Sequence, residues 1–421
     1  MKSGFQRLSV FLGFIFLIAF IQRFWFVGSW SGIEGISWPL ARHAFEILWC
    51  GAVVLLAAGL LDPVLGRFIP RTRSGSWVIA VSRVWLVASF FSFFAVQLVG
   101  LLGWTSQAAA VHLASQSGGL NLATRNLFRY AALTAGGLPF LAATYGFAAG
   151  RLRFQVERVD VPIAGLPKAL DGLKIVQLSD IHIGQFMPQE EIAQAVEMAN
   201  DLRPDLAVIT GDFVSGADDP LEDCIAELSK LHAPLGTWGC NGNHEIYAGA
   251  ERKAGQLFEL HGMRLLRQES AELEWRGERF NLIGVDYQRD FMTGGAHGKP
   301  LESVEHLVRH DIPNILLSHN PNSFPRAAEL GVELSLAGHT HGGQVKFEIV
   351  ERTVSPARLI TNFVAGLYRL PSGNVSTQSA EPHGKPAKDA WLYVNRGLGT
   401  FGLPLRLGVP PEITLLTLRS A

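Results

Sequence analysis

The segment Leu173-Lys-Ile-Val-Gln-Leu-Ser-Asp-Ile-His-Ile-Gly184 constrains this chain more than any other. A run so rich in Ile, Val and Leu predicts a strand buried on both faces, as in the interior of a parallel sheet. Beyond Ser179 come Asp180 and His182, two residues apart. If extended geometry continues, residues at that spacing point to the same side. A carboxylate and an imidazole then share one small space, and Gly184 lets the chain turn away. Alone, Asp-x-His is an ordinary pair, and its meaning depends on what else arrives.

Four later segments repeat the pattern. Asp205-Leu-Ala-Val-Ile-Thr-Gly-Asp212 is a second buried strand ending in Gly-Asp, and the stretch from Leu235 leads to Gly242-Asn-His-Glu245. Asn314-Ile-Leu-Leu-Ser-His319 and Val332 to Gly338-His-Thr-His341 deliver three more histidines. Between the first two strands, Ile192, Ala195, Val196 and Ala199 fall at helical spacing, and Pro204 closes that helix. A second helix is expected around residues 221–231. Strand–helix–strand alternation predicts a largely parallel sheet with its site at the carboxyl ends of the strands. Residues 263–288 read as antiparallel strands at 263–267, 273–275 and 279–285, and 391–399 and 412–418 read as two more strands. Residues 371–390 read as a surface loop. Any one of these histidines is ordinary as a surface or core residue. A sheet selected for stability alone would not gather Asp, Asn and His at one edge five times over, four times close to a glycine, so the series predicts a binuclear metal site.

In this order, Asp180-x-His182, Gly211-Asp212, Gly242-Asn243-His244-Glu245, His319 and Gly338-His339-Thr-His341 resemble the calcineurin-like metallophosphoesterase superfamily, over about residues 171–421. Gly342-Gly-Gln344 and Asn395-Arg-Gly-Leu-Gly399 are similar to its bacterial subgroup of membrane-associated or exported phosphodiesterases. The resemblance implies an α/β fold of two packed mixed sheets flanked by helices. It implies that Asp180, His182 and His341 hold one metal, that Asn243, His319 and His339 hold the other, and that Asp212 bridges them. A mix of imidazole and carboxylate suits Mn²⁺ foremost, with Fe or Zn²⁺ as alternatives. The implied chemistry is attack on phosphorus by a hydroxide shared between cations about 3.5–4 Å apart. His244 then contacts the phosphate and protonates the leaving oxygen. Many relatives carry an acid three residues after the bridging Asp, where this chain has Ser215. Asp286 reads more readily as a turn acid than as support for the site. The apolar stretch 352–370 reads as packing against the sheet, or else as a cleft rim in which Phe363 and Tyr368 take up an acyl chain and Arg369 meets phosphate.

The first 150 residues are another kind of sequence. Ten Lys/Arg stand against three acids there, whereas the remainder carries 26 against 34. Apolar runs near residues 8–28, 44–61, 84–104 and 130–150 have roughly the length that spans a hydrocarbon core. They predict a four-helix transmembrane region at 1–150, a connector with an edge strand at 151–170, and the phosphoesterase domain at 171–421. The first run is too long, and lacks the small-residue cleavage site, for a conventional cleaved signal peptide. Nine basic residues beside the ends facing one way against four facing the other place both termini and the catalytic domain in the cytoplasm, at a bacterial inner membrane. Glu46 reads as a partner of Arg42 at the interface rather than as a charge in a transport path. Cys224 and Cys240 read as buried thiols. The acidic second part excludes nucleic acid as an obligatory partner.

The expected function is thus hydrolysis of a phosphodiester by a membrane-anchored enzyme, with lipid-linked diesters among its substrates. The alternative within hydrolysis is pyrophosphate cleavage of a nucleotide-linked lipid precursor. A non-catalytic scaffold is disfavoured because every ligand position is filled.

Overall fold

The computed structural model describes residues 16–25, 43–44, 46–47, 51, 73–113, 122–287, 301–349, 352–354, 361–372 and 389–421. The chain divides into two units, Met1–Ala148 and Ala149–Ala421.

In the first unit, a short apolar helix covers Phe16–Trp25, and longer ones cover Arg73–Leu113 and Leu122–Ala148. Two stretches, Trp77–Ala109 and Leu122–Leu152, are helical, long and apolar enough to cross a membrane. The third and fourth expected spans fall within them. Of the first span, ten helical residues are described, and the second lies almost wholly outside the described residues. The expected four-helix region is therefore two candidate spans among the described residues. Leu98, Leu101, Leu102, Leu133 and Leu141 are exposed on these helices, an outward apolar surface that is costly in water and favourable in lipid. Inside, polar groups pair with one another. Gln22 Nε2 donates to Ser89 Oγ at 2.9 Å, Trp85 Nε1 to Gln22 Oε1 at 3.2 Å, and Ser92 Oγ to the Gly136 carbonyl at 2.5 Å. Such bonds tie helices together where no water competes. Glu46 lies 3.2 Å from His43 Nδ1, and its expected partner Arg42 lies outside the described residues.

The second unit is built on two six-stranded sheets. We number its strands β1 (Gln155–Ile163), β2 (Lys174–Leu178), β3 (Leu206–Ile209), β4 (Thr237–Gly239), β5 (Arg264–Leu265), β6 (Glu269–Trp275), β7 (Glu278–Gly284), β8 (Asn314–Leu317), β9 (Leu334–Ala337), β10 (Phe347–Ile349), β11 (Arg352–Val354), β12 (Gly366–Leu370), β13 (Ala390–Val394) and β14 (Glu412–Ser420). The first sheet runs β1-β14-β2-β3-β4-β5, and the second β12-β13-β9-β8-β7-β6. β2, β3 and β4 are parallel, as are β7, β8 and β9. β14 enters between β1 and β2, parallel to the former and antiparallel to the latter. The sequence expectation holds except at 263–267. That segment becomes β5, which joins the first sheet parallel to β4 instead of pairing with β6.

Alternation along each strand explains the layering. Ile175, Leu206 and Val208 face Leu282, Ile315, Leu317, Leu334 and Leu336 of the other sheet in one shared core. Their neighbours Val176, Leu178, Ala207 and Ile209 face outward onto helices Gln189–Asp201, Leu221–Leu228 and Glu251–Leu260. A strand covered on both sides has no use for a polar residue until it ends, which is why the polar residues gather at the strand ends. Cys224 and Cys240 are buried free thiols, as expected, and burial pushes both well above the ordinary thiol range.

Candidate metal centre

The carboxyl ends of β2, β3, β4, β8 and β9 meet where the two sheets adjoin. Gln177 Nε2 donates to the Ala337 carbonyl at 2.9 Å, and the Asp180 carboxylate accepts the His339 backbone N–H, so the edges are stitched together. The backbone past these strands is not extended. Asp180, His182, Asp212, His339 and His341 all have φ between +49° and +73°. Left-handed backbone at residues other than Gly is uncommon and persists where surroundings enforce it. Here the enforcement is visible: Asp180 N donates to Gly211 O, His182 N to Asp212 O, and Gly399 N to Asp180 O. Asp180 and His182 therefore converge through repeated sharp turns, not through the strand continuation that the spacing suggested. Gly242 and Gly338 permit the closeness, since a Cβ on either would overlap the carboxylate of Asp212 or Asp180.

Six of the seven expected ligand residues fall in two groups of close donor atoms, linked through His182 and Asp212. In the first, His341 Nε2 lies 3.3 Å from Asp180 Oδ1 and 3.2 Å from His182 Nε2. In the second, His319 Nε2 lies 3.1 Å from Asp212 Oδ2, and single donor atoms of Asp212, His319 and His339 fall within 4.8 Å of one another. Asp212 Oδ2 is also 3.6 Å from His182 Nε2, so this one carboxylate faces both groups. Asn243 is buried alongside, with its Oδ1 lacking any hydrogen-bond partner. Six of the seven are buried, and His339 is half-buried.

The hydrogen bonds behind these rings decide what they can do. His182 Nδ1 is 3.1 Å from the Val214 carbonyl, and His319 Nδ1 is 2.5 Å from the Thr210 carbonyl. A carbonyl only accepts, so both Nδ1 atoms carry hydrogen and each Nε2 faces inward. This is the usual way a protein fixes the tautomer of a metal-binding histidine. Inward-facing nitrogens, carboxylate oxygens and an unpartnered amide oxygen crowd together with too few protons to join them, and divalent cations fit that donor set.

Electrostatics separates the members. Burial raises Asp180 to about 6, lowers His182 to about 3, and holds His341 well below the ordinary imidazole value. For His319 burial acts downward, but the facing Asp212 and Asp180 carboxylates overcome it and raise the ring to about 10. For Asp212 burial acts upward, and His319, by charge and hydrogen bond, holds it well below the carboxylate range.

His244 stands at the edge of the cluster, with a ring nitrogen within 4.8 Å of donor atoms of His182 and Asp212. Its Nδ1 donates to the Ser215 carbonyl at 3.0 Å, and its backbone N–H donates to Asp212 Oδ1 at 2.9 Å. At Ser215, where the family resemblance led to the expectation of an acid, a backbone carbonyl orients His244 while the Ser215 hydroxyl lies 3.0 Å from His182 Nδ1. Asp219 holds that turn by accepting the Ser215 and Gly216 N–H groups.

Several functional neighbours gave no sequence signal of their role. Glu245 is fully buried and accepts backbone N–H groups of Gly242, Asp212 and Phe213 at 2.7–2.9 Å, locking the Asp212 turn to the Asn243 helix. Arg406 is a fully buried cation that donates to the Arg396, Gly397 and Gly399 carbonyls behind Asp180. Tyr287 places its hydroxyl 3.5 Å from His339 Nε2, and the Phe401 ring packs against His244. Asp286 is more than a turn acid: it pairs with Arg267 and accepts from Asn241 at 2.7 Å, bracing the Asn243 loop. The stretch after 360 follows the packing reading. Phe363 and Tyr368 join Phe324 in an aromatic cluster on the second sheet, and Arg369 is engaged by Asp389. Phe363, Tyr368 and Arg369 are thus engaged in packing and ion pairing instead of forming an acyl-chain rim. The expected loop at 371–390 lies mostly outside the described residues.

Comparison with known proteins gives one consistent family. The profile of the calcineurin-like phosphoesterase family matches residues 173–343. The chain is 31% identical to the uncharacterized metallophosphoesterase YkuE of Bacillus subtilis, over 69% of this chain and 92% of that protein. It is 34% identical to a transmembrane protein with metallophosphoesterase domain of Bos taurus, over 63% of this chain and 57% of that protein. It is 28% identical to the phosphodiesterase YaeI of Escherichia coli, over 58% of this chain and 82% of that protein. Thus the match spans somewhat over half the length of the mammalian relative.

Proposed function

The chain belongs to the calcineurin-like metallophosphoesterase superfamily, and from that premise we propose that it is a membrane-anchored, metal-dependent hydrolase acting on phosphodiesters in preference to monoesters. One observation carries the reading: the Asp212 carboxylate faces both donor groups, 3.6 Å from His182 Nε2 and 3.1 Å from His319 Nε2, with His244 held beside it. Asp180, His182 and His341 would hold one divalent cation, and Asn243, His319 and His339 the other. When bound, such a pair supplies Lewis acidity toward phosphate oxygens and a water ionised near neutral pH.

The remaining work belongs to the chain. Backbone carbonyls of Val214 and Thr210 keep the ligand rings aimed inward, so that the site is organised before substrate arrives. His244, with Nδ1–H committed to Ser215, has Nε2 left to carry a proton to the leaving oxygen. Mn²⁺ is the favoured ion for this donor set, with Zn²⁺ and Fe as alternatives. The apolar outer surface of the first unit supports membrane anchoring. A site tethered there meets lipid headgroups at high local concentration, which favours lipid-linked diesters as natural substrates. The basic residues flanking the spans favour a cytoplasmic catalytic domain, and a reporter fused after Ala421 that is active only outside the membrane overturns that orientation.

The deciding experiment is turnover of a diester, a monoester and a phospholipid by the purified full chain, with Mn²⁺ or Zn²⁺ added after chelation. The reading expects diester hydrolysis restored by metal. No turnover of any ester with either metal defeats it.

A further inference from the structure

Two aromatic side chains outside the ligand motifs stand next to His244. The Phe401 ring lies 4.3 Å from the His244 ring, centroid to centroid, and 5.7 Å from that of His182, near which it stacks at 25°. Tyr247, one helical turn after His244, has its ring 5.8 Å away. Rings that serve only packing are covered, as Phe213, Phe258, Phe280 and Phe324 are in this domain. Phe401 and Tyr247 instead remain 48% and 71% exposed. Nor does Phe401 hang loosely. Its N–H donates to Gln344 Oε1 and its carbonyl accepts from Gln344 Nε2, both at 2.9 Å, which fastens it to the loop directly after His341. Uncovered apolar surface fixed at the backbone level beside a reacting centre is a surface kept for a ligand.

We propose that Phe401 and Tyr247 form the subsite for the leaving alcohol and that it takes a planar aromatic group. The inference rests on the hydrolase reading above and deepens it. In that hydrolysis a bond forms between water oxygen and phosphorus, the water having given up a proton to solvent, while the ester P–O bond breaks, its electron pair going to the leaving oxygen. That oxygen takes a proton from His244, so the leaving group departs on the His244 side, where both rings stand. Across the cluster, Tyr287 turns its hydroxyl toward His339. The two ester arms therefore meet unlike surroundings, apolar ring faces on one side and a phenol oxygen on the other. Edge-on or offset contact with two rings rewards a flat aromatic partner over a short alkyl one.

The test uses the Mn²⁺-loaded full chain in detergent with methyl benzyl phosphate and methyl propyl phosphate, whose leaving alcohols are of similar basicity and differ in the ring. Wild type is expected to prefer the benzyl ester about tenfold in kcat/KM, in line with aromatic stacking. Phe401→Ala shrinks that preference to about threefold or less, mainly by raising KM for the benzyl ester. Tyr247→Ala moves it the same way, and Phe401→Tyr keeps it. Equal hydrolysis of both esters by wild type overturns the subsite. So does an equal fall in kcat on both in Phe401→Ala, which makes the ring a prop for His244. In those cases diester turnover survives and the hydrolase reading stands. A wild type inactive on these esters and on bis(4-nitrophenyl) phosphate takes both down.

Discussion

The two halves of the metal cradle are built unlike. Asp180, His182 and His341 include a carboxylate of their own, and burial keeps both rings neutral, at about 3 for His182 and well below the ordinary value for His341. Asn243, His319 and His339 include no carboxylate, one of them is half-buried, and His319 holds its proton up to about 10. A cation entering the first half meets lone pairs already free and a negative charge. A cation entering the second must displace a proton and depends on the shared Asp212 for charge. On the proposed reading, similar donors are therefore expected to give a tight position and an exchangeable one, because burial and neighbouring charge set the protonation of each ring.

The harshest way to break this asymmetry is to remove what the halves share. Asp212→Asn is expected to empty both positions and to cost about a thousandfold or more in kcat, read by metal analysis beside turnover. A variant that keeps two equivalents of metal denies the bridge. His244→Ala leaves both halves loaded while slowing diester turnover about a hundredfold. Loss of metal in that variant makes His244 a ligand.

Protons sharpen the contrast further. His319 is protonated below about 10, so affinity at the second half is expected to rise with pH, about tenfold per unit where one proton is released, up to about pH 10. The first half, with Asp180 at about 6, should flatten above that pH. Stepwise titration with Mn²⁺ at several pH values separates the two. The same ring governs the metal-free fold. A value raised above the ordinary 6.5 adds stability that is full below 6.5 and lost as pH rises through about 10, so Tm of the chelated protein should fall over that window. Smallest is Ser215→Ala. It removes the hydroxyl beside His182 Nδ1 but leaves the carbonyl that orients His244, so kcat should fall only about threefold. A hundredfold loss places the hydroxyl itself in the chemistry.

The candidate site was legible because a strand covered on both faces admits polar residues only past its end, and five strands did so, four of them close to a glycine. The layering of the second unit followed from the same alternation. What stayed hidden depends on contacts between distant parts of the chain. Nothing near Phe401 in sequence points to His244, and a lone Arg406 reads as a surface cation until the chain around residues 396–399 closes over it. The left-handed turns at Asp180 and His182 were missed because neither residue type advertises them. They are imposed by hydrogen bonds to the Gly211 and Asp212 carbonyls and from the Gly399 N–H. The segment at 263–267 was misassigned because a strand of two paired residues has too little pattern to choose between sheets.

β14 has a consequence for how the domain is made. It fills the slot between β1 and β2, yet it is synthesised after every other strand of either sheet. While a nascent chain lacks residues 412–420, two raw edges face each other across a gap, and raw edges invite pairing with other chains. Ribosome-bound intermediates stalled upstream of Glu412 should therefore recruit chaperones and resist release in native form, and adding that final stretch should relieve both.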